Sequence, residues 1–394
     1  MDAKYVYYKE IIKNERLPLA YVDLDLFDNN VQAILKRAGP KKIRIASKSI
    51  RSAALIRRIL DSSPQFQGIM CYSAEEAVWL SEQGFDDLLV AYPTLQLQAI
   101  KSVISAVKTG KEIYLMTDSA EHLGHLQKIA EEDNVILSIC VDLDMSSRWP
   151  FIHFGVQRSG IWNKETLATY LDKLKSCPNL QLVAAMGYEA QIAGVGDRIP
   201  GKRIVNKVIA NFQKRSRKEV AQRRRELVKQ LQREVSTLHI INGGGTGSLE
   251  STAEEPWVTE LAAGSGFYAP ALFDTYSHFR HLPAAAYAVE VVRMPQQNIY
   301  TCLGGGYVAS GGIGKEKAPK PYLPMAMELT PNEMAGEVQT PIQYKGYLKL
   351  GDPVFFRHSK AGELCEHFNE LILIKNGEIS GKTKTYRGEG KCFL

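Results

Sequence analysis

The sequence predicts an α/β fold in which a (β/α)8 TIM-type barrel is followed by a mainly antiparallel β C-terminal domain. Two observations predict it. Short β-branched runs alternate with amphipathic segments through the first two thirds of the chain, as parallel strands alternate with crossover helices. Near residue 284 this alternation fades, and runs such as AVEVVRM, NIYTCLG and NELILIKNGEI follow, with glycine and proline between them. The length of 394 residues suits a barrel of about 250 residues and a second domain of about 100.

Eight runs are predicted as barrel strands, which is the number that a closed barrel needs. They are residues 43–47, 68–71, 88–91, 113–116, 136–141, 182–186, 238–241 and 258–262. An open doubly wound sheet could also hold alternating strands and helices. The count of eight, and the position of polar motifs directly after the strands, favour closure.

The segments between these strands have helical apolar spacing, namely residues 52–61, 74–83, 94–107, 119–132 and 164–175. Ser73 is expected to cap the second of them, with Glu76 at the capping-box position and Gly84 after its end. We place an N-terminal segment at residues 1–18, the barrel at residues 19–276 and the β domain at residues 284–394.

Composition excludes several classes of protein. A content of 45% hydrophobic and 23% charged residues is typical of a globular protein with a large core. The six cysteines are scattered without C-x-x-C spacing, which argues against a disulfide framework and a zinc ribbon. Residues 1–17 lack an apolar signal core, and no later run reaches the length of a membrane span. We therefore expect a cytoplasmic protein without a membrane partner.

Much of the net charge of +6 lies in residues 212–235, FQKRSRKEVAQRRRELVKQLQREV. Apolar residues recur there at helical spacing, with basic residues on the other faces. Such a segment could bind nucleic acid, but no aromatic interleaving or known binding motif accompanies it. We expect a solvated outer helix and no nucleic-acid partner.

Lys48 directly follows the first predicted strand, in RIASKSIRS. Reactive groups of barrel enzymes stand at the carboxyl ends of the strands, whereas most surface lysines lie on helices. This position makes Lys48 a candidate cofactor ligand. On the residues alone, an exposed lysine at a strand end is the alternative.

Two glycine-rich motifs follow the seventh and eighth predicted strands, where barrel phosphate sites are commonly built. INGGGTGS offers Gly244, Gly245 and Thr246, whose backbone can approach an anion closely. AAGSGFYAP offers Gly264, Ser265 and Tyr268. The pair predicts a phosphate site, although ordinary turns are also rich in glycine.

Polar side chains also follow the fifth and sixth predicted strands. Arg158, in FGVQRSGIW, could offer its fork to a carboxylate or a phenolate oxygen. The motif MGYEAQIAG places Tyr188, Glu189 and Gln191 at the same barrel mouth. Tyr188 could contact a planar cofactor, and Glu189 could orient a partner, but a core tyrosine and a rim glutamate fit the pattern equally well.

An ordered set of motifs resembles the D-threonine aldolase and D-serine dehydratase branch of the alanine-racemase fold, fold-type III. In chain order the motifs are Lys48, CYSAEEAVWLSEQGFDDLLVAYP, FGVQRSG, GYEAQ, NGGGTGS and TELAAGSG. The resemblance covers residues 19 to about 268. It implies pyridoxal 5'-phosphate (PLP) as cofactor, a small amino acid as substrate and a homodimer. It also implies a Schiff base at Lys48, and Arg158 facing the cofactor phenol oxygen and the substrate carboxylate. Tyr188 and Gln191 would lie around the pyridine ring. The residues implied around the phosphate are Gly244, Gly245, Thr246, Gly264 and Ser265.

The C-terminal run FRHSKAGELCEHFN departs from that branch. Its metal-using members carry a histidine followed two positions later by aspartate or cysteine. Here His358 is followed by Lys360, and a protonated lysine has no lone pair for a metal. Cys365 and His367 could rebuild a site with His358, so the metal ligands are unknown and a divalent metal is doubtful. Alternatively, His358 or Lys360 is a catalytic acid or base, helped by Glu363, or His358 is structural.

The leading hypothesis is a PLP-dependent lyase that acts on D-3-hydroxy amino acids by retro-aldol cleavage or by dehydration and deamination. One alternative is an amino acid racemase, whose second base could be Tyr307, Tyr322, Tyr344 or Tyr347. Another is a non-catalytic PLP-binding protein. The sequence leaves open the substrate side chain and the choice between cleavage and dehydration.

Overall fold

The structure, a computed structural model, describes residues 2–149, 152–312 and 314–393. Met1 and Leu394, the outer limits of the predicted domains, lie outside them. The strands are β1 Leu19–Asp23, β2 Lys42–Ala46, β3 Phe66–Cys71, β4 Leu88–Val90, β5 Ile113–Thr117, β6 Leu137–Asp142, β7 Ser147–Trp149, β8 Ile152–Phe154, β9 Leu180–Gly187, β10 Ile240–Gly243, β11 Glu260–Ala263, β12 Ala285–Gln296, β13 Ile299–Leu303, β14 Lys320–Leu323, β15 Glu328–Leu329, β16 Gln339–Gln343, β17 Pro353–Arg357, β18 Glu370–Lys375 and β19 Glu378–Lys384. The helices are α1 Ala3–Ile11, α2 Leu24–Ala38, α3 Ala53–Ser62, α4 Ala74–Glu82, α5 Leu97–Lys108, α6 Ala120–Glu132, α7 Lys164–Leu174, α8 Ala190–Ala193, α9 Arg203–Glu234, α10 Leu249–Ala253 and α11 Leu364–His367.

Within the described residues, eight strands close into a barrel in the order β10-β11-β2-β3-β4-β5-β6-β9. Every neighbouring pair is parallel. Each of the eight predicted runs overlaps one of these strands, which confirms the predicted fold class. Because the strands are parallel, their carboxyl ends share one face of the barrel, where the loop that carries Lys48 begins.

The barrel strands β2 and β11 carry a buried pair of opposite charges. Arg44 of β2 is fully buried and forks onto Glu260 of β11, with Nε 2.6 Å from Oε1 and Nη2 3.0 Å from Oε2. Its Nη1 donates to the Asp87 carbonyl oxygen at 2.8 Å. Gly68 of β3 leaves room for this guanidinium, because a Cβ there would lie 2.3 Å from Nη1. The buried charge is therefore paired, as the low dielectric of a core requires.

The five predicted helices correspond to α3 to α7. Ser73 caps α4 by accepting from the Glu76 N–H at 3.1 Å, and Gly84 after its end has φ +81°. The basic helix α9 starts at Arg203, before the predicted residue 212. Its first turns expose apolar residues, with Ile204 80% accessible, so they bury no apolar stripe that periodicity could detect.

The antiparallel domain is built around the path β15-β16-β13-β12-β1-β18-β19, and β17 pairs with β12 and β14. Its sheet includes β1, which pairs antiparallel with β12 and parallel with β18. All five residues of β1 are buried. The prediction of a mainly antiparallel second domain is confirmed, but a strand from the start of the chain belongs to it.

Two compact units divide the chain differently from the predicted limits. The sheet unit contains the residues up to Ala33, Ser49–Leu55 and Ser265–Cys392, and the barrel unit contains Ile34–Lys48 and Ile56–Gly264. Residues 19–33, predicted as barrel, thus lie in the sheet unit because β1 completes its sheet. The apolar run LAYVD would suit a central strand of either sheet. None of the helices in the described segments is long and apolar enough to cross a membrane.

Candidate active site

Lys48 lies at the carboxyl end of the first barrel strand, in a 3-10 turn at Ser47–Ser49 that follows β2. Ser47 is fully buried and donates its hydroxyl to the Met70 carbonyl oxygen at 3.0 Å, which anchors the turn. The Lys48 side chain is exposed, and its Nζ donates to the Tyr92 hydroxyl oxygen at 3.3 Å. The structure therefore presents a primary amine at the barrel mouth.

Tyr92 follows β4 and is half-buried between two cations. Besides the Lys48 amine, the guanidinium carbon of Arg158 lies 5.3 Å from the centre of the Tyr92 ring. Burial alone would raise the pKa of the Tyr92 phenol, but the charges of Lys48 and Arg158 outweigh it and lower that pKa below its ordinary value. Sequence reasoning missed Tyr92, because a tyrosine after a strand is as typical of a core as of a site.

Arg158 is exposed and lies between two tyrosine rings, since its guanidinium carbon is also 5.7 Å from the centre of the Tyr188 ring. Burial and Glu189 raise the pKa of Tyr188 to about 12, against the opposing charge of Arg158. The structure thus brings together three of the predicted residues, Lys48, Arg158 and Tyr188, around the unpredicted Tyr92.

Asp142, the last residue of β6, is a second group that the sequence did not single out. Its side chain is 8% exposed. Burial, together with the nearby charges of Asp118 and Asp144, raises its pKa to about 7, although Arg158 acts in the opposite direction. A carboxyl group in this state can give or take a proton near neutral pH.

Replacing Asp142 with asparagine should stabilise the protein relative to wild type as the pH rises. From about pH 4 to about pH 7 the folded chain holds a proton on Asp142 that the unfolded chain has lost. The unfolded state therefore binds fewer protons, and wild-type stability falls through this window. Denaturant unfolding at about pH 5 and about pH 8 should show Asp142→Asn gaining about 2–3 kcal/mol on wild type.

The matched control for that experiment is Asp172→Asn, because Asp172 is exposed on α7 in an ion pair with Lys175 at 2.8 Å. It should show no such gain. A stability difference between Asp142→Asn and wild type that does not change with pH would contradict the raised pKa.

The glycine-rich loop after β10 packs against Tyr188. Gly244 has φ +83°, and a Cβ on Gly245 would lie 3.1 Å from the Tyr188 ring. The Gly244 N–H donates to Glu189 Oε2 at 3.2 Å, and the Gly245 N–H donates to Ser248 Oγ at 3.1 Å. Both amides thus hold the loop in shape. That they and the buried Thr246 contact a phosphate directly stays a prediction.

A buried ion-pair network fixes the loops after β9 and β10. Glu189 is 1% exposed and accepts from Arg224 Nη2 at 2.6 Å and from the Ser248 hydroxyl at 2.7 Å. Arg224, also 1% exposed, donates to Glu255 and to the Gly187 carbonyl oxygen. One arginine of the basic helix α9 is therefore a core residue, whereas sequence reasoning placed all its basic residues on solvated faces.

Gln191 is also a buried residue, 1% exposed, on the short helix α8. Its Nε2 donates to the Met145 carbonyl oxygen at 2.6 Å. In this position the amide supports the loop after β6. That Gln191 lies beside a pyridine ring stays a prediction, since its described contacts do not test it.

The loop after β11 contains Gly264, Ser265 and Tyr268, and the chain passes from the barrel unit to the sheet unit after Gly264. Gly264 is buried in the barrel unit. In the sheet unit, the Ser265 hydroxyl lies 3.1 Å from that of Ser49. Tyr268 is fully buried and donates its hydroxyl to the Ile50 carbonyl oxygen at 2.9 Å, so it anchors the chain. That Tyr268 or Ser265 offers a hydroxyl to a phosphate stays a prediction.

His358, in the sheet unit, is fully buried, and neither of its ring nitrogens has a hydrogen-bond partner among the described residues. Burial and the neighbouring Arg357 lower its pKa to about 3, so the ring is neutral. An imidazole whose pKa is this low is a weak base, so this environment disfavours His358 as a general base.

The residues after His358 do not fit a metal ion. Lys360 Nζ donates to the Ser310 carbonyl oxygen at 3.2 Å, and the His367 ring stacks on Tyr307 with centres 4.1 Å apart. Cys365 donates its thiol to the Ile50 carbonyl oxygen. In the part of the chain that the structure describes, no three His, Cys, Asp or Glu residues are grouped as metal ligands. The idea that Cys365 and His367 rebuild a site with His358 therefore finds no support.

The comparisons with known proteins agree with the barrel and the order of its motifs. The family model "Alanine racemase, N-terminal domain" matches residues 22–270, more than half of the chain. The chain belongs to this alanine racemase family. Its fold family consists of PLP-dependent enzymes, and this membership confirms the resemblance found in the sequence.

Solved structures match the family fold over nearly the whole chain. D-threonine aldolase from Filomicrobium marinum has a TM-score of 0.79 at 14% identity, over 96% of each chain. D-threo-3-hydroxyaspartate dehydratase from a Delftia species has a TM-score of 0.72 at 14% identity, over 95% of this chain and 98% of the other. Alanine racemase from Clostridium difficile 630 has a TM-score of 0.63 at 14% identity, over 94% and 99%. No protein of curated function matches the sequence.

Proposed function

We propose that this chain is a PLP-dependent lyase that acts on D-configured 3-hydroxy amino acids. The observation that carries the proposal is the exposed Lys48 amine directly after the first barrel strand, hydrogen-bonded to Tyr92 at 3.3 Å. The family supports the cofactor class. The fold is similar to those of D-threonine aldolase and D-threo-3-hydroxyaspartate dehydratase, enzymes named for D-configured, β-hydroxylated amino acids.

The residues at the barrel mouth fit this cofactor. Lys48 would hold its aldehyde carbon, and Tyr188 and the glycine loop that packs on it would border the ring and the phosphate. Within the sheet unit, the Ser265 hydroxyl lies 3.1 Å from that of Ser49, and its contact with a phosphate stays a prediction. When bound, PLP supplies an electron sink that makes the bonds at Cα of an amino acid labile.

The other side chains bind the substrate and move protons. The exposed guanidinium of Arg158 offers its fork to a carboxylate, which would orient the amino acid. Asp142, with its pKa raised to about 7 by burial and by Asp118, can accept and return a proton at an oxygen or carbon of the substrate. No step is assigned to a metal, because the residues around His358 do not offer a ligand set.

The same family membership supports a homodimer that acts on a small amino acid. We also propose that the protein works in the cytoplasm. Nucleic acid and membranes have no part in this proposal.

The experiment that tests the proposal is turnover by the purified holoprotein on a panel of D-3-hydroxy amino acids, such as D-threonine, D-serine and D-threo-3-hydroxyaspartate. We expect either an aldehyde with glycine, or a 2-oxo acid with ammonia, and no turnover of the L-enantiomers. Assays in heavy water distinguish the alternatives. Deuterium at Cα with inversion and no cleavage would identify a racemase. Changes in the cofactor spectrum without any product would identify a non-catalytic binding protein. Either result would contradict the proposed lyase.

A further inference from the structure

Tyr92 is the hydrogen-bond partner of the Lys48 amine at the barrel mouth. It follows β4, whereas Lys48 follows β2, so two separate strand ends bring the amine and the phenol to 3.3 Å. The Lys48 Nζ lies 5.8 Å from the centre of the Tyr92 ring, so the amine approaches the hydroxyl edge and not the ring face. The ring itself packs on the barrel core that includes Leu89 and Met116.

The charged and titratable groups that face Tyr92 come from four elements. Lys48 approaches from the turn after β2 and Arg158 from the loop after β8, while Asp142 lies at the end of β6 and Tyr188 after β9. Two cations act on the phenol against one carboxylate, and Asp142 is half protonated near neutral pH. The surroundings therefore make this phenol more acidic than an ordinary tyrosine, whereas burial without cations would make it less acidic.

We propose that Tyr92 is the proton-transfer partner of Lys48. The phenolate oxygen takes a proton from the Lys48 ammonium, so that an N–H bond breaks and an O–H bond forms. The products are a neutral amine, which can attack a carbonyl carbon, and a neutral phenol. The reverse transfer returns the proton when the lysine is released. The role deepens the proposed function, because an amine that binds an aldehyde must first lose its proton.

The neighbouring groups are less suited to this role. Tyr188 lies on the other side of Arg158, but burial and Glu189 raise its pKa to about 12, so it stays neutral. No described hydrogen bond joins the Asp142 carboxylate to Lys48. Tyr92 alone combines a hydrogen bond to Nζ with a lowered pKa among the described tyrosines that face Arg158.

The pairing is tested first in the apoprotein, without cofactor, by following tyrosinate absorbance from about pH 7 to about pH 11. One tyrosine should titrate at a lower pH than the others. Tyr92→Phe should remove that titration and Tyr188→Phe should retain it. Lys48→Ala should raise its midpoint by about one pH unit or more, because a cation at hydrogen-bond distance is lost. An unchanged midpoint in Lys48→Ala would overturn the pairing.

The transfer is tested by the rate at which apoprotein forms a borohydride-reducible adduct with pyridoxal. In Tyr92→Phe this rate should fall about tenfold near neutral pH and recover as the pH rises, while the final extent of the adduct is unchanged. A purely structural tyrosine would alter the extent or the stability and leave the pH dependence of the rate as in wild type; that result would refute the proposal. If wild-type Lys48 forms no adduct, the proposed function fails, whereas equal rates in both proteins refute Tyr92 only.

Discussion

Lys48→Ala is expected to remove cofactor attachment and to lower turnover by about a thousandfold or more. In the structure this amine stands at the carboxyl end of the first barrel strand and donates to the Tyr92 hydroxyl. On the proposed function, PLP would then have no covalent anchor, and the proton transfer proposed for Tyr92 would have no amine partner. The visible absorbance of the purified protein, its borohydride-reducible cofactor content and the rate of product release should all fall together.

The matched control is Lys42→Ala, on the same strand β2 but at its amino end. The Lys42 side chain is exposed and donates to the Pro64 carbonyl oxygen at 2.9 Å. This variant should keep the cofactor and turn over at close to the wild-type rate. Retention of the reducible cofactor by Lys48→Ala, or its loss in Lys42→Ala, would show that another lysine holds it.

Arg224→Met is expected to lower the free energy of unfolding by about 3–5 kcal/mol. Arg224 is 1% exposed and is the shared partner of Glu189 and Glu255. Its removal leaves both carboxylates in the core without their cation, and it also takes a donor from the Gly187 carbonyl oxygen. Because Glu189 holds the Gly244 loop, the variant should also lose cofactor affinity. Urea unfolding and cofactor titration measure the two effects.

Arg225→Met is the control, since Arg225 is the next residue on α9 and is exposed. Its guanidinium lies 5.8 Å from the Trp257 ring, a contact worth about 1 kcal/mol or less. We expect this variant to lose no more than that and to bind cofactor normally. Equal losses of stability in the two variants would mean that the buried network contributes nothing beyond a surface arginine.

The sequence was sufficient to predict the barrel because each of its strands is a short, continuous apolar run. Parallel strands buried on both faces leave such runs, and turn residues separate them from the helices. Lys48 was found for the same reason: its position directly after a strand could be read from the chain. The departure at Lys360 was equally visible, since it depends only on residue type.

The features that the sequence did not predict depend on contacts between distant parts of the chain, which a single sequence does not show. The strand β1 pairs with β12 and β18, partners far along the chain, so its apolar run gave no sign of the sheet it joins. Arg224 lies between two other arginines, and only the packing of α9 shows which of the three is buried. Tyr92 and Asp142 acquire their chemistry from neighbours on other strands, which no local motif records.

The central claim is that Lys48 carries PLP, and peptide mapping tests it most directly. The holoprotein is reduced with borohydride, digested and analysed by mass spectrometry. Our account predicts a pyridoxyl phosphate group on the peptide that contains Lys48 and on no other. The same label on a different lysine, or no label on a protein that has been saturated with PLP, would contradict it.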